Sequence, residues 1–320
     1  MTEITKVSKN LGTLTMKEID VQTAKDMIIK NHYSKKWNSS FGKINIGVFK
    51  DERLLGVAVF GNLMNPKSFK NISDYGEGSV IELNRLWIDD ELGHNAETIL
   101  ISSSFKIIKA DYPVIRFVQS FADGRLGCGT IYKASNFKYF GYEETLFFED
   151  KETGEVLHKV PLENTKRPLG MLGKNARYLS GKLKPFKVKT YKYIFPLYKK
   201  DVIKLKEHPY PEYDKGTIES DYEHPDSLIV RLMIMYNEIG MDNLKRWCYQ
   251  ILKDRGNSKD DIIELMEKQK QNKSIIWYKT EYLQNNREKL IETIEGALKW
   301  LKFICAGQNG KLSLRQRARN

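Results

Sequence analysis

The sequence predicts a mixed α/β domain of the α+β class over residues 1–200, followed by a helical region over 201–320. Three observations carry that prediction. First, Val80–Tyr142 alternates strand, helix, strand and helix. Val80–Ile88 is an apolar, β-rich run ended by Asp89–Asp90–Glu91, and Val114–Ser120 is a second such run. Between them Ile99, Leu100, Phe105, Ile107 and Ile108 recur at the spacings of a buried helix face. Gly127–Gly129 then opens a short helix that Asn136 closes. Parallel strands joined by a crossover helix bury a sheet, and function collects at the strands' C-terminal ends. Here those ends carry Arg85 to Asp89 and Ser120 to Asp123. Second, composition shifts after His208–Pro209–Tyr210–Pro211 and Glu223–His224–Pro225, which bracket a proline-bearing linker. Third, no apolar run is long enough to span a membrane.

In chain order, Met1–Asn10 is polar and has no signal-peptide pattern. Gly12–Ile19 alternates as a strand, and Asp20 is the expected N-cap of a helix over Val21–Asn31. The helix runs out at Asn31–His32–Tyr33–Ser34 and the basic Lys35–Lys36–Trp37. Ile44–Phe49 and Leu54–Phe60 read as a hairpin, and Gly61–Gly78 as a surface loop. After Tyr142 come the strands Thr145–Glu149 and Val156–Val160, then a basic stretch with few apolar residues over Asn164–Pro185. Val188–Leu197 is a last strand. Beyond the linker, Ser227–Asn237, Asp242–Lys253, Lys259–Lys270 and Glu281–Ile304 are helical, with Leu290, Ile294, Leu298 and Leu301 on one stripe. Lys311–Asn320 is a frayed basic tail.

The net charge of +12 is localised. Residues 1–154 carry 20 Lys and Arg against 20 Asp and Glu, residues 155–200 carry 12 against 2, and residues 201–320 carry 21 against 19. One short segment therefore holds nearly the whole excess, which is what a polyanion partner requires. Lys166, Arg167, Lys174, Arg177, Lys182 and Lys184, with Lys35 and Lys36, are the expected nucleic-acid contacts. Cys128, Cys248 and Cys305 form neither a zinc spacing nor a disulfide framework, which points to a reducing cytoplasm.

The order of strands and helices resembles the Gcn5-related N-acetyltransferase (GNAT) fold, with Tyr132-Lys-Ala-Ser-Asn-Phe137 and Gly141-Tyr142 matching that fold's last helix and the turn after it. That resemblance implies a coenzyme A pyrophosphate loop at Leu92, Gly93, His94, Asn95 and Ala96, although the stretch departs from the usual glycine-rich pattern. Four blocks resemble a narrower family, the phage DNA-modification protein Mom. They are His32-Tyr33-Ser34, Glu82-Leu83-Asn84-Arg85-Leu86-Trp87-Ile88, Ser120-Phe121-Ala122-Asp123, and Gly129-Thr130-Ile131-Tyr132 with Ala134 and Asn136-Phe137. The resemblance covers about residues 12–200. It implies addition of a carbamoylmethyl group to N6 of adenine in double-stranded DNA, as protection against host restriction enzymes in the host cytoplasm.

On that resemblance His32, Tyr33, Arg85, Asp123 and Tyr132 converge on one pocket, with Asp123 as base, Tyr132 orienting it or giving a proton, and Arg85 holding an anionic group. The donor is acetyl-CoA or another acyl or glycyl-type carrier, and His32, Tyr33 and Asp123 are donor types that could ligate iron. Each residue also has a structural reading. His32 follows a helix end, Asp123 can cap a turn, Tyr132 can be core, and Trp37 and Trp87 can simply pack. Arg85, inside an apolar strand, is either paired with Glu82 or Asp123 or aimed at an anionic ligand. Two rival functions remain at this stage: an acyl-CoA-dependent N-acyltransferase for a protein or small amine, and a non-catalytic DNA-binding protein on the same scaffold.

Overall fold

The computed structural model describes residues 1–164, 168–213, 216–271 and 280–298. The chain forms two compact units, Met1–Glu144 with Val188–Thr217 and Thr145–Lys187 with Ile218–Asn320. The first unit contains β1 (Ile4–Ser8), β2 (Gly12–Glu18), α1 (Val21–Asn31), β3 (Ile44–Lys50), β4 (Arg53–Gly61), β5 (Val80–Ile88), α2 (Ala96–Asp111), β6 (Phe117–Asp123) and α3 (Thr130–Ala134). β7 (Lys138–Asp150) starts in it and ends in the second unit. The second unit holds β8 (Val156–His158), α4 (Val160–Glu163) and α5 (Pro168–Leu179), after which β9 (Leu183–Pro196) returns to the first. β10 (Thr217–Glu219) lies at the next crossing. The helices α6 (Asp226–Glu238), α7 (Asp242–Asp254), α8 (Lys259–Lys270), α9 (Thr280–Asn285) and α10 (Arg287–Leu298) complete the second unit.

The first unit's sheet has the order β1-β2-β3-β4-β5-β6-β9-β7. Its β5–β6 pair is parallel, while β1–β2, β2–β3, β3–β4, β4–β5 and β6–β9 are antiparallel. This is the mixed α/β arrangement the element order predicts. The hairpin turn between β3 and β4 puts both Asp51 (φ 49°) and Glu52 (φ 64°) in the left-handed region, the conformation that matches the twist of tightly joined strands. The helix α2 buries Leu100, Ile101, Phe105 and Ile108 against Ile46, Val48, Ala58, Phe60, Leu83 and Val118 on one face of the sheet. On the other face Ala24 and Ile28 of α1 pack on Val57 and Val59, with Trp37, Phe41 and Trp87 against them. Asp20 caps α1 as its position predicts, accepting from Thr23 N–H at 2.9 Å.

Several expectations are corrected. The polar terminus contains a strand, β1, because Ile4 to Ser8 lies in register with Met16 to Gly12 and completes an edge. The strand expected at Val114–Ser120 begins three residues later, since Tyr112 and Ile115 close a turn (Ile115 N–H to Tyr112 O, 3.0 Å) and Val114 is 65% exposed. Asp123 is thus the last residue of the strand itself. The division expected at 200/201 is replaced by the crossings just described. Residues 145–187 cluster with the helices because α5 is amphipathic: Met171, Leu172, Ala176 and Leu179 are buried in one core with Leu228, Leu232, Tyr236, Leu244 and Cys248. Leu290 and Ile294 share that core, as the stripe predicts. The helix expected over Glu281–Ile304 is broken between α9 and α10; Leu301, Cys305 and Lys311–Asn320 lie outside the described residues.

What positions the site is a divergence of two strands. β5 and β6 pair only at Val80↔Phe117, Ile81↔Val118 and Glu82↔Gln119. One further link, Ser120 Oγ to Leu83 O at 2.8 Å, closes the contact. Beyond it β5 follows β4 as far as Ile88 and β6 follows β9 as far as Asp123, so a crevice opens between their C-terminal ends.

Candidate active site

A pocket of about 330 Å³ occupies this crevice, lined by His32, Tyr33, Asn84, Arg85, Leu86, Phe121, Ala122, Asp123, Leu126, Gly127, Gly129, Thr130, Ile131 and Tyr132. All five residues expected to converge are in it. Two local irregularities bring them there. The β4–β5 register shifts between Val59 and Phe60, so that Phe60 faces Leu83 and Val59 faces Arg85, with Asn84 as the extra residue. That bulge turns Arg85 to the α1 side, the side of Val57, Val59 and Trp87, where it meets the Phe41 ring at 4.6 Å. At the other wall, Gly129 (φ 93°) starts α3 where a Cβ would lie 2.7 Å from the Tyr193 ring and 3.0 Å from the Ala122 and Tyr132 side chains.

Arg85 resolves the alternatives its sequence position left open. Its terminal nitrogen donates to Asn84 O at 2.6 Å, while its buried Nε has no partner. Glu82 accepts instead from Asn84 Nδ2 (2.9 Å) and Gln119 Nε2 (3.2 Å). Asp123 accepts from Arg125, through the backbone N–H (3.0 Å), Nε (2.9 and 3.0 Å) and a terminal nitrogen. Arg85 is therefore a desolvated guanidinium without a carboxylate partner among the described residues, and burial lowers its pKa. Such a group is stabilised by an incoming anion.

His32 is buried, and Ser34 N–H donates to its Nδ1 at 3.1 Å with the Ser34 hydroxyl at 2.9 Å. An Nδ1 that accepts a backbone N–H carries no proton, so the neutral ring is the Nε2–H tautomer. Burial, aided by the Arg85 charge, pulls its pKa down to about 4. At neutral pH His32 is thus a hydrogen-bond donor rather than a base. Its ring lies 4.3 Å from that of Tyr33, which is 56% exposed at the mouth. Burial of the Tyr33 hydroxyl end and the nearby Asp123 carboxylate raise that phenol's pKa. Tyr132 stacks on Tyr193 (5.1 Å), and its hydroxyl lies 2.9 Å from Ser120 Oγ. Burial pushes its pKa up to about 12, so it holds its proton and can donate it.

The comparisons with known proteins coincide with this geometry. The Mom protein family matches residues 13–212, a span that contains every lining residue of the pocket. The chain belongs to the Mom family. The methylcarbamoylase Mom of Escherichia phage Mu is 34% identical to this chain over 209 residues, covering 61% of this chain and 85% of the phage protein. Among solved structures, Arabidopsis thaliana NAA60 in complex with acetyl-CoA aligns at 13% identity over 57% of this chain and 99% of that one, with a TM-score of 0.37. An N-acetyltransferase from Staphylococcus aureus aligns at 10% identity over 57% and 97%, with a TM-score of 0.32.

Other expected residues of this Mom-family chain do not meet at the pocket. Leu92, Gly93, His94, Asn95 and Ala96 are absent from its lining, and Leu92 and Ala96 are buried in the core. The start of α2 has no side-chain cap at Asn95, which leaves backbone N–H groups able to face an anion, but Glu97 in the first turn opposes one. Lys35 and Lys36 are exposed beside Tyr33. Lys166 and Arg167 lie outside the described residues. Lys174, Arg177, Lys182 and Lys184 belong to the second unit. Arg177 is held there by Asp150 and Glu152, and Lys182 by Glu152, so these two cations are structural partners of acids. Trp37 and Trp87 pack under α1, in keeping with their structural reading.

The iron expectation is not supported. Among the described residues there is no group of three or more His, Cys, Asp and Glu that could hold a metal. Asp123 is held by Arg125, and the unprotonated nitrogen of His32 is taken up by Ser34. Sequence reasoning missed Arg125, Asn84 and Leu126. Arg125 stands two residues from Asp123, a spacing that could have flagged it; Asn84 lay inside a family block but its place in the lining depends on the bulge, and Leu126 carries no signal without the turn.

Proposed function

We propose that this chain transfers a carbamoylmethyl group to N6 of adenine in double-stranded DNA in the host cytoplasm, shielding the DNA from restriction. The family match, whose span includes all five convergent residues, carries the reading. The chemistry asks for particular groups. The adenine amino nitrogen is a weak nucleophile inside a base pair, so the base must leave the stack to be reached. Forming its bond to carbon releases one proton. Asp123 is the carboxylate among the lining residues and is the acceptor we assign to that proton. Arg85 would hold an anionic part of the donor or the charge that develops on its leaving group. Tyr132 would donate a hydrogen bond or a proton, and the Nε2–H of His32 a hydrogen bond, to that same charge. The donor would be an acyl or glycyl-type carrier, coenzyme A among them, that delivers the whole carbamoylmethyl unit with its amide nitrogen. The N6–carbon bond would form as the bond from the methylene carbon to the leaving group breaks, the leaving group departing with that electron pair. Because the product bond is to an sp³ carbon, transfer of an acetyl group alone does not give this product.

The test is the nucleoside mass profile of DNA from cells expressing the chain. A deoxyadenosine heavier by one carbamoylmethyl group in place of hydrogen is expected. Unmodified deoxyadenosine, together with acylation of proteins or small amines, would overturn the reading in favour of an ordinary N-acyltransferase.

A further inference from the structure

We propose that Leu126 is the wedge that enters the DNA stack and keeps the target adenine extruded; this rests on the DNA reading above. Leu126 lines the pocket yet is 60% exposed, whereas its neighbours Ala122, Gly124, Gly127 and Cys128 are buried. An isolated exposed leucine on a protein surface needs no explanation. This one stands at the rim of the cavity that would receive the base, on a turn that cannot fold it away.

The turn is fixed from several directions. Leu126 N–H donates to Asp123 O at 2.9 Å and Gly127 N–H to Gly124 O at 3.3 Å, which closes the chain on itself. At its base Gly124 N–H donates to Lys189 O and Gly216 N–H to Gly124 O, each at 2.9 Å. A side chain at Gly124 would run into the backbone of Lys189 and Gly216, so the packing there is tight. Arg125 ties the turn to Asp123. Beside Leu126, the 68%-exposed Tyr213 lays its ring against Gly127, within 3.2 Å of where a Cβ would stand. The result is an apolar ridge, tied down by backbone hydrogen bonds, at the mouth of the pocket.

A flipped base leaves a hole in the stack, and an apolar side chain inserted between base steps offsets the cost of that unstacking. A preorganised leucine does so without having to be ordered on binding. A side chain that only closed the pocket would have no effect on the stack.

The test uses the full chain. Modified nucleosides in expressing cells give the sequence context, and a duplex of that context then carries 2-aminopurine, which brightens when unstacked, in place of the target adenine. Wild-type protein should brighten it on binding. Leu126→Ala should bind the duplex but lose the brightening, with cellular modification falling on the order of tenfold. Leu126→Phe should restore both. Full brightening and full modification by Leu126→Ala, or no brightening by wild type on a duplex it modifies, overturns the wedge alone. Absence of any modified nucleoside with the wild-type chain overturns the DNA reading, and the wedge falls with it.

Discussion

Arg125 holds the carboxylate of Asp123 from two residues away, donating to Oδ1 from its backbone N–H at 3.0 Å and from Nε at 2.9 Å, while its terminal nitrogen reaches Oδ2. The carboxylate is thereby fixed at the end of β6, facing Tyr33 and Arg85 across the pocket. Asp123→Asn keeps the size and an acceptor for the backbone N–H but removes the charge. Modification should fall by about 10²–10⁴, the range for losing a general base, with DNA affinity unchanged. Arg125→Gln should cost less, and the double variant should be no worse than Asp123→Asn, because the two act as one unit. Strictly additive losses in rate measurements would separate the two roles.

Arg85 makes the opposite case, a buried cation without an acid. Replacing an unpaired, desolvated charge by an apolar chain of similar length removes its desolvation penalty. Arg85→Met should therefore abolish modification while raising stability by about 1 kcal/mol in urea unfolding. A clear loss of stability would mean that its contacts with Asn84 O and Phe41 outweigh the burial of its charge.

His32 gives a pH dependence whose sign is fixed. Its folded pKa of about 4 lies below the ordinary 6.5, so between those values the unfolded chain binds a proton that the folded ring refuses. Its contribution to stability is complete above about pH 6.5 and is lost as pH falls toward about 4. His32→Asn lacks the titrating group and should lose less stability than the wild type across that window. His224 of the second unit, depressed by burial to about 3, acts with the same sign in both proteins and drops out of the comparison. Parallel curves from urea midpoints measured across the window would show that His32 does not titrate as its burial requires.

The basic segment now separates into two kinds of cation. The Arg177 and Asp150 side chains are only 18% and 6% exposed, and breaking a buried pair leaves a charge unmet. Arg177→Glu should destabilise the second unit by about 3–5 kcal/mol, whereas Lys184→Glu, with a side chain 56% exposed and Glu219 at 3.8 Å, should stay within about 0.5 kcal/mol. Reversing Lys174, Arg177, Lys182 and Lys184 together is for that reason not a clean test of DNA contact. Lys184→Glu and Lys35→Glu are cleaner. If they remove phosphate contacts, each should reduce the slope of log affinity against log salt by about one. An unchanged slope would leave both as solvated surface.

Much of this protein was legible in its sequence. β5 is bounded by Val80 and Ile88 as the apolar run and its acidic end require, and α8 spans Lys259–Lys270 as its periodicity predicts. These are local signals, fixed by propensity, capping and a repeat of the chain itself. The family blocks also named His32, Tyr33, Arg85, Asp123 and Tyr132 in advance, and the pocket contains all five. The tertiary structure decided the rest. A single extra residue at Asn84 determines which face of the sheet Arg85 occupies, because side chains alternate strictly along a strand and a one-residue slip reverses them. The proton of His32 sits on Nε2 because a backbone N–H two residues on meets Nδ1, a geometry set by how the chain leaves α1. Residues 145–187 read as part of the first domain because they precede the strand Val188–Leu197 and fall within the resemblance over about residues 12–200. Yet α5 shows its apolar side to a core whose other members begin only at Leu228, and burial against distant partners is not written in any local pattern.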